Sequence, residues 1–259
     1  MKKKTRWPLY AILALVLTFL AFVVPLSYYI EVPGGAEDIR RVLKVNETED
    51  TEAGAYQFVT VGIRHATLSH LVYAWLTPFT DIRSAKETTG GSTDAEFMRI
   101  NQFYMQTSQN MAKYQGLKTA GKDIELKYLG VYVLTVTDNS TFKGILNIAD
   151  TVTAVNDKTF DSSKDLVDHV NSQQLGDTVK VTYEEDGKVK SAEGKIITLE
   201  NGKNGIGIGL IDRTEVTSDV PIRFSTAGIG GPSAGLMFSL AIYTQIADPG
   251  LRNGRVVAG

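Results

Sequence analysis

Cysteine is missing altogether, which excludes disulfide frameworks, thiolate metal sites, iron–sulfur clusters and thiol catalysis. Histidine is scarce, with only His65, His70 and His169 present. The first two lack carboxylates at ligand spacing, so no metal site is expected. No surplus of either charge exists: Lys+Arg 27 against Asp+Glu 29 leaves −2, too little basic field to hold nucleic acid. A Gly-x-x-x-x-Gly-Lys-Ser/Thr loop is absent, so there is no cradle for ATP, and no cofactor is called for. What is present is ordinary globular material, 43% hydrophobic and 22% charged, long enough for one or two domains.

Lys2, Lys3, Lys4 and Arg6 precede an uncharged stretch from Trp7 to Ile30. As one helix that stretch reaches roughly 36 Å, against a hydrocarbon layer of about 30 Å. The basic cluster predicts a cytoplasmic N-terminus, with the remainder outside the cell. A cleaved signal peptide is the rival, but Tyr28-Tyr29-Ile30-Glu31 makes a poor cleavage site. The expectation is an uncleaved transmembrane signal-anchor in the cell membrane.

Val32-Pro33-Gly34-Gly35 is expected to break the helix just beyond the membrane. Alternation predicts a strand at Ala55–Ile63, and Thr67–Trp75 looks helical. Thr88 to Ser92 is a polar loop, and Asp94 is placed to cap a long helix reaching about Ala120. That helix carries Phe97, Ile100, Tyr104, Met111 and Tyr114, a stripe suited to a buried face or to a peptide. Further on come strands at Val131–Thr137 and Thr151–Asn156, then a helix capped by Ser162 or Ser163. Val179, Val181 and Tyr183 alternate ahead of an Asp186-Gly187 turn, with Val189–Ile197 as the returning strand. Gly205-Ile206-Gly207-Ile208-Gly209 lacks dinucleotide-loop spacing and is expected as a glycine-softened strand.

Leu129-Gly130-Val131-Tyr132-Val133, followed by Asn147-Ile148-Ala149-Asp150-Thr151-Val152, resembles a PDZ domain. Bacterial PDZ domains usually carry Gly-Asp where this chain has Ala149-Asp150. The resemblance implies capture of an extended peptide at a sheet edge. Gly130, Val131 and Tyr132 would hold its carboxylate, and Leu166 and Val170 would line the groove. A PDZ-like fold serving only as spacer or lid is the plainer alternative.

Residues 228–246 read GIGGPSAGLMFSLAIYTQI, a glycine-rich loop running into an apolar helix. Ser233 therefore sits at a helix N-terminus, where free N–H groups and the helix dipole favour a developing oxyanion. Its plainer role is an N-cap. An α/β-hydrolase elbow fails, because no histidine follows the serine, and Leu236 rules out Ser-x-x-Lys. A Ser–Lys dyad is the natural remaining candidate.

GGPSAGLMFSLAIY resembles the proteolytic domain of Lon-type serine proteases. With the anchor and PDZ segment ahead of it, the whole chain resembles the membrane-anchored YlbL-like or SepM-type pheromone-processing branch of Gram-positive bacteria. This implies Ser233 as nucleophile, an oxyanion held by the backbone around Gly231, Ser233 and Ala234, and a lysine with depressed pKa as base. In that family the lysine lies a few tens of residues beyond the serine, yet residues 234–259 contain none. The expectation is a piece of a longer protease, with a naturally truncated, inactive relative as the second choice.

The expected fold class is thus α+β. Residues 1–30 form the cytoplasmic stub and anchor, 31–127 an extracellular α/β segment, 128–212 the PDZ domain, and 213–259 an incomplete Lon-type protease domain. The expected function is a membrane-anchored, ATP-independent serine endopeptidase acting on peptides or proteins. A non-catalytic, membrane-tethered PDZ protein is the alternative.

Overall fold

The computed structural model describes residues 6–259; the Lys2–Lys4 cluster lies outside them. The chain begins with α1 (Trp7–Val23), β1 (Tyr28–Asp38), β2 (Leu43–Val45) and β3 (Ala55–His65). Next come α2 (Leu68–Leu76), β4 (Asp81–Ser84), α3 (Ala85–Thr89), α4 (Asp94–Thr119) and β5 (Ile124–Val136). Then follow β6 (Thr151–Val155), α5 (Ser163–Asn171), β7 (Thr178–Glu185) and β8 (Lys188–Lys195). The chain closes with β9 (Ile197–Thr198), β10 (Asn204–Gly205), β11 (Ile208–Ser218), β12 (Ile222–Phe224), α6 (Gly235–Ile246) and β13 (Val256–Ala258). Two compact units result: the residues up to Ala36 with Val59–Thr93, and Glu37–Phe58 with Asp94–Gly259.

In the first unit, Pro8 sits in the opening turn of α1, where its missing N–H costs nothing. The helix is 17 residues long, about 26 Å, which is short of a hydrocarbon layer of about 30 Å. Among the described residues no helix is long and apolar enough to cross a membrane. This overturns the transmembrane helix expected over the first thirty residues. The sequence estimate counted straight through to Ile30, but Pro25 stops the helix and Tyr28 to Ile30 enter β1 instead. There they pair antiparallel with β4, Tyr28 opposite Ser84 and Ile30 opposite Ile82, and Tyr29 and Ile30 become buried. The strand also runs through Val32-Pro33-Gly34-Gly35, where a break was expected. Ser84 caps α3 through a reciprocal pair with Glu87, and Gly90 closes that helix at φ +65°.

In the second unit, α4 and α6 pack together so closely that a Cβ on Gly116 would lie 2.8 Å from Ile242 Cγ2. The buried seam of α4 is Ile100, Met105, Ala112, Gly116 and Leu117. Of the stripe expected from sequence it shares only Ile100. Met105, Ala112 and Leu117 join Phe238, Ile242, Tyr56, Phe58 and Leu43 in one apolar core. Asp50 and Arg252 close that region with a buried two-bonded ion pair at 2.5 and 2.6 Å. A second core gathers Val131, Val133, Phe142, Val152, Leu166, Val170, Val179 and Val181 between α5 and a five-stranded sheet.

Candidate functional site

The five-stranded sheet has the order β11-β5-β6-β7-β8, so only β11 and β8 are edges. β8 carries Lys188, Lys190 and Lys195, charges of the kind that discourage strand addition. β5, by contrast, is enclosed. β11 covers one side along its whole length, from Ile208 opposite Val136 to Ser218 opposite Ile124. β6 takes the other side at Val131 and Tyr132, and Val133 exchanges bonds with Ala149 and Asp150.

β11 therefore offers the open edge, and its alternation fixes which groups face outward. The Gly207 carbonyl turns inward, accepting from the Thr137 N–H at 2.8 Å. The Asp212 and Thr214 carbonyls turn outward, accepting from Thr107 Oγ1 at 3.0 Å and Asn110 Nδ2 at 2.8 Å on α4. Counting by twos, Ile208 and Leu210 also present their backbone N–H and C=O outward. Their side chains pack against the second core.

The strand is entered through Gly205-Ile206-Gly207. Ile206 is buried, and its carbonyl accepts from the Ser140 hydroxyl. Gly207 has φ +76°, and a Cβ there would lie 2.5 Å from Thr137 Oγ1, so only glycine fits. Helix α5 stands over this loop and over β11, and Asn204 Nδ2 donates to the Gln173 carbonyl just beyond the helix end at 2.8 Å. The result is a glycine turn, a short bare strand edge and a helix beside it.

A second feature lies at the start of α6. Gly230 abuts Asn101 of α4, and the Gly231 N–H donates to the Asn101 carbonyl at 2.9 Å. Ser108 Oγ donates to the Pro232 carbonyl at 2.9 Å, and Gln109 Nε2 donates to Thr226 Oγ1 at 2.7 Å. The loop is thus fixed to α4 at several points. It presents Ser233 exposed, two residues ahead of the first helical residue. Ala234, expected beside it in the oxyanion site, is buried with its side chain in the first core. Among the described residues none accepts a hydrogen bond from the Ser233 hydroxyl. Lys113, also on α4, is half-buried, and burial pushes its ammonium pKa down; however, it lies over the Phe224 ring at 5.6 Å.

Elsewhere, Arg99, Phe103, Tyr132 and Arg213 line a polar cavity of about 420 Å³ with the 147–151 turn. Arg213 is already engaged there with Glu184 and Thr151. Among the described residues no group of three His, Asp or Glu side chains gathers to hold a metal.

A family model described as PDZ domain matches residues 102–196. The chain contains a PDZ domain. The PDZ domain of an SdrC-like protein from Listeria monocytogenes is 34% identical, covering 34% of this chain and 93% of that one, with a TM-score of 0.32. Its counterpart from Listeria innocua is 36% identical over 31% of this chain and 92% of that one, with a TM-score of 0.30. A protein from Geobacillus thermodenitrificans is 30% identical over 31% and 94%, with a TM-score of 0.29. No curated protein sequence matches the chain.

The matched PDZ stretch ends before β11, so the open edge of this domain comes from residues that follow it. Of the peptide-binding positions named from sequence, Gly130, Val131 and Tyr132 lie in the interior strand β5 and offer no free backbone edge. Gly130 has a different task. With φ +134°, it sits beside a register shift, and a Cβ on it would lie 2.3 Å from the Val152 carbonyl oxygen. Leu166 and Val170 are on α5, as expected, but are buried in the PDZ core. The residues that sequence reasoning passed over are Ile206, Ile208 and Leu210. Their signal was the repeated Gly-Ile spacing, set aside earlier as a softened strand.

Proposed function

We propose that the PDZ domain captures the C-terminal end of a peptide or protein along β11, and that Ser233 serves a peptide-cleaving site on the same unit. PDZ domains bind peptides or proteins, and one observation carries the placement here: β11 is the open, lysine-free edge beside α5. An extended ligand adds antiparallel to Ile208 and Leu210, with its carboxylate at the Gly205–Gly207 turn.

The proteolytic part rests on the loop at Ser233. Gly230 and Gly235 let the loop pack tightly against Asn101 and Ser108 of α4. The Gly231 and Gly235 N–H groups are taken by the Asn101 and Pro232 carbonyls, so the oxyanion falls to the other N–H groups at the head of α6. The serine oxygen attacks the peptide carbonyl as its proton passes to a base; the tetrahedral intermediate collapses to an acyl-enzyme as the base returns that proton to the departing amine, and water then hydrolyses the ester. Lysine is the base this chemistry calls for in the absence of a nearby histidine. An exported place of work belongs to the same proposal, on the strength of basic residues ahead of an apolar segment.

A second reading, a binding protein without catalysis, is favoured by one observation: no base stands at the Ser233 hydroxyl among the described residues. The two separate on Ser233→Ala. Loss of peptide cleavage with peptide binding intact supports the protease; a chain that cleaves nothing before the change, or equally after it, leaves the binding protein.

A further inference from the structure

Helix α2, in the first unit, turns its apolar side outward. Leu68, Val72, Trp75 and Leu76 recur at three- and four-residue spacing, and Phe79 continues the stripe just past the helix end. All five are exposed, Trp75 at 85% and Phe79 at 88%. The half-buried positions are Ser69, His70, Leu71, Ala74 and Thr77, mostly smaller or more polar than the residues facing out. A helix docked only on its own protein shows the reverse. Phe79 is moreover held at φ +59°, which a bulky side chain rarely adopts, with its ring in solvent. Helix α1 has no buried residue either and touches α2, which extends the apolar surface.

We infer that α2 and the turn at Phe79 seat in the headgroup layer of an anionic lipid bilayer, with the stripe from Leu68 to Phe79 directed at the acyl chains. Charge selects this occupant. Apart from His70, no residue from Ala66 to Thr80 can carry a charge. The unit as a whole holds seven Lys and Arg against Glu31, Asp81 and Glu87, a surplus of positive charge in a chain whose net charge is −2. Anionic lipid attracts such a surplus, whereas a second copy of the same surface would meet its own sign. Tyr73 and Trp75 are side chains of the kind that settle at headgroup level. A helix lying in the plane of the surface needs no spanning segment.

The chain has two tryptophans, Trp7 and Trp75, so each can be made the only reporter. Full-length Trp7→Phe reports α2, and full-length Trp75→Phe reports α1. Both are titrated with phosphatidylcholine–phosphatidylglycerol vesicles whose lipids are brominated high or low on the acyl chains. Trp75 emission should shift to shorter wavelength and be quenched more strongly by the high bromines. Adding Phe79→Gly, which suits the positive φ and so preserves the fold, should weaken the Trp75 titration by about tenfold and leave that of Trp7 unchanged. Omitting phosphatidylglycerol should weaken the Trp75 titration by at least about fivefold. Quenching of Trp7 without Trp75 means that α1 alone meets lipid, and overturns the inference. Stronger quenching of Trp75 by the low bromines overturns the in-plane placement, and equal quenching without phosphatidylglycerol overturns the anionic class. Shielding of Trp75 from aqueous iodide before any lipid is added means that protein covers the stripe, and this too overturns it.

Discussion

Proline scanning along β11 tests the orientation of the edge directly, because two neighbouring residues should respond in opposite ways. Leu210 turns its N–H outward, so Leu210→Pro leaves the ladder to β5 intact. Ile211 turns its N–H inward opposite Tyr132, so Ile211→Pro deletes a ladder bond and leaves a buried carbonyl unpaired. For Leu210→Pro the folded state loses the half-buried leucine side chain, a cost that Leu210→Ala measures separately. Beyond that control the stability change should stay within about 1 kcal/mol. Peptide binding should weaken by at least about tenfold, one lost ladder bond plus the bulk of the ring against the incoming strand. For Ile211→Pro the lost bond and the orphaned acceptor together cost roughly 2–4 kcal/mol of stability. Urea unfolding and calorimetric titration of a valine-terminated peptide read both quantities on each variant. If Ile211→Pro proves as stable as Leu210→Pro, the alternation assigned to β11 is wrong, and the open edge and its ligand register fall with it.

Gly130→Ala should destabilise the PDZ core by about 2–4 kcal/mol, from its positive φ and the collision with the Val152 carbonyl. A neutral result in urea unfolding would contradict that geometry. Burial raises the carboxyl pKa of Asp150, against the backbone N–H of Asn147 that lowers it. A raised acid binds its proton more tightly when folded, so this group's contribution is most favourable below the unfolded carboxylate pKa and declines as pH rises through the folded value. Asp150→Asn, which retains an acceptor for Asn147, should therefore gain stability relative to the parent at neutral pH. The difference should close near pH ~3, below the unfolded carboxylate value; a gap that widens on acidification would reverse the sign.

Local patterns carried much of the fold. Asp94 opens α4, Ser162 caps α5 by accepting from the Asp165 N–H, and the alternation of Val179, Val181 and Tyr183 predicts the β7–β8 hairpin around its Asp186-Gly187 turn. Each of those signals lies within a few residues of what it specifies. The failures are non-local or cumulative. Nothing around Gly130 announces that β11, some eighty residues later, will cover one side of β5 while β6 takes the other. The same distance conceals the role of Gly205 to Gly209, whose glycines erase the polar–apolar contrast that marks an edge strand. At the N-terminus, composition suggested one continuous helix. Pro25 and the burial of Tyr29 and Ile30 in β1 divide it, because sheet pairing there satisfies backbone groups that proline had removed from the helix. Ser233 was legible as the head of α6, whereas its anchoring by Asn101 and Ser108 depends on a helix more than a hundred residues earlier.

Thr107 and Ser108 are consecutive on α4, yet one is bonded to β11 and the other to the loop carrying Ser233. A helix advances about 100° per residue, so inserting or deleting one residue between Asn101 and Asn110 would rotate one set of anchors away from its client while the other stayed in place. That stretch of α4 acts as an indexing shaft. Its length admits no drift, whereas its solvent-facing side chains are free to vary. The tip of the β7–β8 turn, with no such double duty, can lengthen or shorten at little cost.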